Sequence, residues 1–374
     1  MSAIKIYSFT SNDNKRWKSF VKFPYSLYKN NSYWVPPLFA DQKNLLDPDK
    51  HPFYEHASAN FFLATIDNQV VGRIAALIDE NHNKIHNEQT GFFGFFETIE
   101  NYQVAEKLFN ASKSWIYNQG MTNFRGPVNP CLNEDCGFLT DAFDLSPVIM
   151  MPYNPPYYID FAEKFGFKKA ADLYAYYIDN NKKIPDKLIK IVNIVNKKEK
   201  IIIRPFDLKN FNNDAKAVWH IYNKAWKKNW GFVPMTENEF NYLAKNLKQV
   251  VEPELALFAE INGRPVGFSL SVPDINQALI HTNGHLFPFG FIKLLWFSKK
   301  IDMIRTIIMG VIPEYQRIGI DALFYYKTWK NAVKEGYVKD EMSWVVESNK
   351  MMRRSAEMLG GEIYKTYRLY EMKI

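Results

Sequence analysis

The chain has 374 residues, 47% hydrophobic and 16% aromatic, which is enough apolar content for more than one packed core and too much for a disordered chain. Its formal net charge of +7 suits an anionic ligand. No Lys/Arg block is dense enough for a nucleic-acid surface, so nucleic acid is not favoured as a partner. The two cysteines, Cys131 and Cys136, have the spacing of neither a zinc ribbon nor a redox pair.

Residues 1–10 carry no apolar leader core, and the longest greasy stretch, Leu286–Phe297, is broken by Pro288, Gly290 and Lys293. That stretch is too short to span a bilayer, so the expectation is a cytoplasmic protein with no membrane span. Phe23–Phe39 is a run of Tyr, Phe, Trp and Pro and reads as a loop wedged onto a core by its aromatics. Phe61–Asp79 alternates and turns at Asp67-Asn68, a hairpin. Gly91–Thr98 reads as a strand and Tyr102–Gln119 as the helix after it. Phe124–Tyr158 is a proline-rich insertion holding Asn129, Asn133, Glu134, Asp135 and Asp141. Long loops with polar content of their own are often functional, and a brace is the other reading.

Asn180–Glu199 reads as a Lys- and Asn-rich linker around a short amphipathic segment, Leu188–Val195. Ile201–Pro205 follows as a strand and Ala217–Trp226 as a helix. A second insertion, His281–Phe297, either caps an apolar pocket or packs as an aromatic helix and turn. Ile304–Val311 is a β-branched strand, and Ala322, Tyr326, Trp329 and Val333 mark one face of a helix ending near Gly336.

The chain repeats itself. Phe62–Gly72 lies over Leu257–Gly267 without a gap, with identical pairs Ala64/Ala259, Ile66/Ile261, Val71/Val266 and Gly72/Gly267. Ala162-Glu163 and Gly166 precede Tyr176 as Ala356-Glu357 and Gly360 precede Tyr370. Two copies of one fold is the reading, and a repeat outranks local signals. The expected division is 1–180 for the first domain, 181–200 for a linker and 201–374 for the second.

Between strand Ile304–Val311 and its helix lies Gln316-Arg317-Ile318-Gly319-Ile320-Asp321. Such a turn presents unpaired N–H groups and the positive end of a helix dipole to phosphate oxygens. With Val311, Pro313 and Tyr315 before it, this stretch resembles the phosphate loop of the GCN5-related N-acetyltransferase (GNAT) family, Gln/Arg-x-x-Gly-x-Gly/Ala. Asp321 departs from it, standing where the family has Gly or Ala. The resemblance implies an α+β fold of two tandem GNAT-like domains, each a mixed, mostly antiparallel sheet flanked by helices. It also implies an acyl-CoA-dependent N-acyltransferase, using acetyl-CoA or a longer acyl-CoA on a small-molecule or peptide amine. Val311, Gln316, Arg317, Ile318, Gly319, Ile320 and Asp321 would then bind the cofactor, and Asn349 would hold its pantetheine arm.

The family's leaving-thiolate tyrosine falls at Ala356. Glu347 and His285 are the candidate catalytic groups; His281, Tyr364 and Tyr367 stand further back. Aligning Gly120 with Gly336 sets Glu100 opposite Gln316 and Gln103 opposite Gly319, so the first copy is expected to have lost the cofactor. Two rival readings remain: a non-catalytic acyl-CoA-binding module, and an aminoacyl-tRNA-dependent transferase.

Overall fold

Two hairpins with the same turn chemistry set the fold. In the computed structural model, which describes residues 3–198 and 200–374, Asp67 and Asn68 both take positive φ, and so do Asn262 and Gly263. Such turns match the right-handed twist of the strands they join. The first hairpin joins β2 (Ala57–Ile66) to β3 (Gln69–Asp79), and the second joins β11 (Ala256–Ile261) to β12 (Arg264–Pro273). Each has one register shift, at Ala64/Thr65 and at Ala259/Glu260. These are equivalent positions in the repeat.

Contacts divide the chain into two units. Unit 1 holds the residues up to Leu173 together with Leu279–Leu294 and Lys365–Ile374; unit 2 holds Tyr174–Ala278 and Leu295–Tyr364. The units are therefore not the contiguous segments expected from the sequence.

Unit 1 runs β1 (Lys5–Phe9), α1 (Asn14–Leu27), α2 (Phe39–Leu45), β2, β3, α3 (Glu80–His86), β4 (Thr90–Thr98), α4 (Tyr102–Asn118) and β5 (Asn123–Gly126). The short strands β6 (Val128–Asn129), β7 (Asp135–Cys136) and β8 (Phe138–Leu139) follow, then α5 (Tyr157–Phe165) and the start of β9 (Lys168–Asp179). Strands β1 to β4 pair antiparallel in order, while β4 and β5 are parallel. The sheet has helices on both sides. A Cβ on Gly72 would meet Leu108 and Val104 of α4, whereas the next residue, Arg73, reaches the Phe20 carbonyl of α1 at 2.8 Å. Phe93, Phe109, Phe124, Phe138 and Tyr158 fill the α4 side. The aromatic run of residues 23–39 is part helix, with Tyr28 stacked on Trp34.

The strand beside β5 comes from the far end of the chain: Tyr370–Lys373 of β15 (Glu362–Lys373) pair antiparallel with Asn123–Gly126. Arg125 donates to Glu371 from Nε at 3.0 Å and Nη2 at 2.9 Å, and Tyr370 Oη donates to Glu163 at 3.0 Å.

In unit 2 the second half of β9 leads into α6 (Asp186–Lys198), β10 (Ile201–Pro205), α7 (Phe211–Ala225), α8 (Glu237–Leu247), β11 and β12. After α9 (Asn276–Leu279) and α10 (Gly290–Ser298), whose residues up to Leu294 belong to unit 1, come β13 (Met303–Val311), α11 (Ile320–Lys334), β14 (Lys339–Val346) and α12 (Lys350–Met358). Strands β10 to β13 are antiparallel neighbours, β13 and β14 are parallel, and β9 flanks β14. Gly267, the counterpart of Gly72, faces Phe324 of α11 as Gly72 faces α4. The expected linker at 181–200 is replaced by a core helix over most of its length, with Glu199 outside the described residues. Leu188, Val192 and Val195 of α6 are buried with Ala322, Leu323 and Trp329 of α11. Burying that stripe against α11 gives α6 the tertiary support a short helix lacks alone.

Candidate functional site: the parting of β13 and β14

Strands β13 and β14 stay paired only from Met303↔Lys339 to Thr306↔Met342. Beyond that, β13 continues to Val311, with Ile307, Met309, Gly310 and Val311 only half-buried. A shift in register against β12 at Leu270/Ser271 bends β13 at the place where the two strands separate. From Val311 the chain turns through Pro313–Tyr315 and Gln316 to Gly319, whose left-handed φ of 92° starts α11. Gln316 folds this turn by donating from Nε2 to the Val311 carbonyl at 3.0 Å.

Helix α11 begins on a glycine, with no side-chain cap. The N–H groups of its first turn therefore face outward with the positive end of the dipole behind them. Arg317 is exposed beside them. Asp321 is also exposed, in the first turn. A carboxylate in water at a helix N-terminus stabilises the helix and is screened from its surroundings. Ile318 is half-buried and Ile320 buried under the turn. Gly319 is required for a reason the sequence hides. Besides its φ, a Cβ there would lie 2.4 Å from Val195 Cγ2 of α6.

At the base of the parting sits a buried polar cluster that the strand pattern did not reveal. Glu341 is fully buried. Ser343 Oγ donates to its Oε1 at 2.5 Å, and Tyr364 Oη donates to its Oε2. Arg305 Nε donates to Ser343 Oγ at 2.9 Å and lies 3.9 Å from Glu341 Oε1. Thr306, the next residue along β13, bonds Asp340 at 3.1 Å and Ser271 at 2.7 Å. Burial, with Glu341 adjacent in sequence, pushes the Asp340 carboxyl up to about 7.

The other expected residues are dispersed. Asn349 is the N-cap of α12, and its side-chain oxygen accepts the Met352 N–H at 3.2 Å, so that oxygen is committed to the helix. Glu347 follows β14 half-buried, and its carbonyl accepts from Arg353 Nη1 at 3.3 Å. His285 belongs to unit 1, is exposed and stacks on Phe39. His281 is likewise an exposed unit 1 residue. Ala356 is fully buried in the α12 packing, and α12 contains no tyrosine.

Unit 1 has the same corner in a different state. Strand β4 leaves β5 after Phe92↔Arg125, and Phe95 takes a φ of 49°. Here the opening is filled. A Cβ on Gly94 would lie 1.6 Å from the Val128 carbonyl oxygen, and Asn129 Oδ1 accepts the Phe95 N–H at 2.6 Å. Helix α4 is capped by Asn101, which accepts the Gln103 N–H at 3.0 Å. The register that set Gln103 opposite Gly319 is thus two residues off, because the helix-initiating residues are Asn101 and Gly319. Glu97, just past Phe95, accepts from Tyr28 Oη at 2.6 Å and Tyr158 Oη at 2.8 Å, with Arg73 4.0 Å away. Burial raises its carboxyl above the usual range against the lowering pull of Arg73.

No protein-family profile matches the chain. Among solved structures it resembles a tandem GNAT protein from the clavulanic acid biosynthesis pathway, with a TM-score of 0.56 and 11% identity over 99% of this chain and 98% of that one. It also resembles a GCN5-related N-acetyltransferase from Sphaerobacter thermophilus, with a TM-score of 0.51 and 13% identity over 99% and 95%. These likenesses establish the GNAT fold. Protein YghO of Escherichia coli is 37% identical over 365 residues, 96% of this chain and 93% of that protein. The bacterial ceramide synthase of Caulobacter vibrioides is 35% identical over 367 residues, 95% and 94%. Identity of that order along nearly the whole of both chains goes beyond a shared fold: this chain belongs to the family of YghO and the bacterial ceramide synthase.

Proposed function

We propose that this protein is an acyl-CoA-dependent N-acyltransferase of two tandem GNAT-like domains that joins a fatty acyl group to the amine of a long-chain amino alcohol. The observation that carries the reading is the open corner of unit 2. An uncapped helix N-terminus, a left-handed glycine and a strand running free of its parallel partner lie together there. This is the arrangement a pyrophosphate and its extended arm require. The acceptor class comes from the ceramide synthase, whose product is by definition the amide of a fatty acid and a long-chain amino alcohol.

An acyl-CoA held there supplies an activated thioester, and the acceptor nitrogen forms the new amide bond as the thiolate leaves. The N–H groups at the start of α11, with Arg317, would hold the phosphates. The free edge of β13 from Ile307 to Val311 would line the arm. Glu341 is the buried carboxylate beside the parting, and we assign it to receive the proton of the acceptor ammonium. Ser343 and Tyr364 fix both of its oxygens. This replaces Glu347 and His285 in that role. Ala356, at the place of the family's tyrosine, leaves the thiolate without its usual acid and favours the second reading, an acyl-CoA-binding module without turnover.

The test supplies purified full-length protein with palmitoyl-CoA and a long-chain 2-amino-1,3-diol. Thiol release is followed with a chromogenic disulfide and the amide by mass spectrometry. Amide formation that falls more than about tenfold in Glu341→Gln supports the proposal. Saturable palmitoyl-CoA binding with no amide supports the module instead.

A further inference from the structure

The second insertion forms the aromatic helix and turn that the sequence allowed, but its aromatic side chains are mostly exposed. Most of its apolar side chains face water. Phe287 is 90% exposed, Phe289 66%, Ile292 63% and Trp296 65%, with Phe291 and Leu295 more than half exposed. Single exposed apolar residues are ordinary, but six within ten positions are a patch.

The part of the patch up to Leu294 stands on a fixed base within unit 1. The Gly284 carbonyl accepts the Phe39 N–H at 3.0 Å, and a Cβ on Gly284 would strike the Tyr25 ring and the Pro37 carbonyl. His285 stacks on Phe39, and Thr282 is buried with its hydroxyl donating to the Leu279 carbonyl. Above this base the chain doubles back at Gly290, where a Cβ would lie 1.8 Å from the His285 carbonyl oxygen. The Phe291 N–H donates to the Leu286 carbonyl at 2.8 Å. Phe287 and Phe289 are thus carried outward on an ordered turn that leads directly into α10.

The charges along this segment have one sign. Lys293, Lys299 and Lys300 are exposed, and no Asp or Glu occurs between Asp274 and Asp302. Lys300 Nζ lies 5.5 Å from the Trp296 ring, which places cation and aromatic at one level. Exposed Phe and Ile with Trp at their border and lysines beside them is the chemistry of a segment lying in the headgroup region. Lysines near an anionic surface add an attraction that salt screens. Among the described residues no helix is long and apolar enough to cross a membrane, so the attachment would be to one surface only.

We propose that residues 286–300 dock the protein on the surface of an anionic lipid bilayer, with Phe287, Phe289 and Ile292 inserted and the lysines on lipid phosphates. The proposal deepens the acyltransferase reading and rests on it for its purpose, since both lipid substrates would partition into that surface. The experiment is independent of turnover. Full-length protein is sedimented with phosphatidylglycerol or phosphatidylcholine vesicles, without substrate, at low and high salt. We expect binding to phosphatidylglycerol, at least tenfold weaker binding to phosphatidylcholine, and release by salt. The Phe287→Ser/Phe289→Ser/Ile292→Ser variant should lose at least tenfold in vesicle affinity with an unchanged thermal unfolding midpoint. Lys293→Gln/Lys299→Gln/Lys300→Gln should lose the preference for phosphatidylglycerol. Failure of the parent protein to sediment would overturn the proposal. So would undiminished binding by the apolar variant, or a concentration-dependent dimer that the apolar variant abolishes, which would make a second copy the occupant.

Discussion

The two strand–turn–helix corners, β4 to α4 and β13 to α11, begin from one plan and end in opposite states. Both leave a parallel partner midway and both carry a backbone irregularity where they do so. In unit 1 the chain fills the opening with its own Val128 and Asn129 and caps the helix with Asn101. In unit 2 the corresponding strand edge is partly exposed and the helix starts on Gly319 with no side-chain cap. A donor left unmade inside a protein costs about 1–3 kcal/mol. A corner that has given up its ligand must therefore find internal partners, whereas one that binds a ligand keeps its donors available.

The comparison can be broken most severely at Gly94. With the Val128 oxygen where a Cβ must go, Gly94→Ala should expel the filling segment. The expected loss is about 3 kcal/mol in urea-induced unfolding, as for overpacked cores. Coenzyme A affinity, which the proposed function assigns to the other corner, should not change. If the variant is as stable as the parent, the filling is not what holds the first corner shut.

A smaller effect is expected at Gly319. Gly319→Glu should weaken coenzyme A binding by more than about tenfold, or about 1.4 kcal/mol. Calorimetric titration of the parent chain should reach saturation at one site. Because the new side chain also meets Val195, Val195→Ala with Gly319→Glu separates the causes: relief of the clash recovers only part of the stability, the strain of the left-handed φ remaining, and restores no affinity. Two sites per chain would show that the filled corner opens.

The last effect is spread over several pH units and concerns the polar cluster. Asp340 has a folded-state pKa near 7 and an unfolded value near 3.8, so between these the folded protein holds a proton that the unfolded chain releases. Stability should fall as pH rises through that window. The slope is at most about 1.4 kcal/mol per pH unit, and Asp340→Asn should flatten it. A parent slope that persists in Asp340→Asn would assign the proton to another group.

Much of the fold was legible in periodicity and turn chemistry. The repeated hairpins, the strand–helix succession and the Gly319 corner all follow from local pattern. What escaped depends on partners distant in sequence. The Asn129–Phe95 bond spans 34 residues and leaves no spacing to read. The apolar face of Leu188–Val195 was visible, but not that α11 would cover it. Glu341 drew no reading from the sequence, since alternation does not say which polar residue is buried with hydroxyls around it. A strand pattern likewise does not name its sheet, which is why the last strand of the chain was assigned to the second half.

That placement bears on how the protein is made. Arg125 meets Glu371 across 246 positions, so the first unit's sheet lacks a strand until the chain has been made as far as β15. Closing so long a loop is entropically modest but kinetically late. The nascent first half must wait with the edge of β5 unpaired, exposed to wrong pairings of the kind that chaperones suppress. A gene cut between the repeats would thus not yield two independent domains. Because Lys365–Ile374 belongs to unit 1 although it follows all of unit 2 in sequence, neither copy can be inherited without the other.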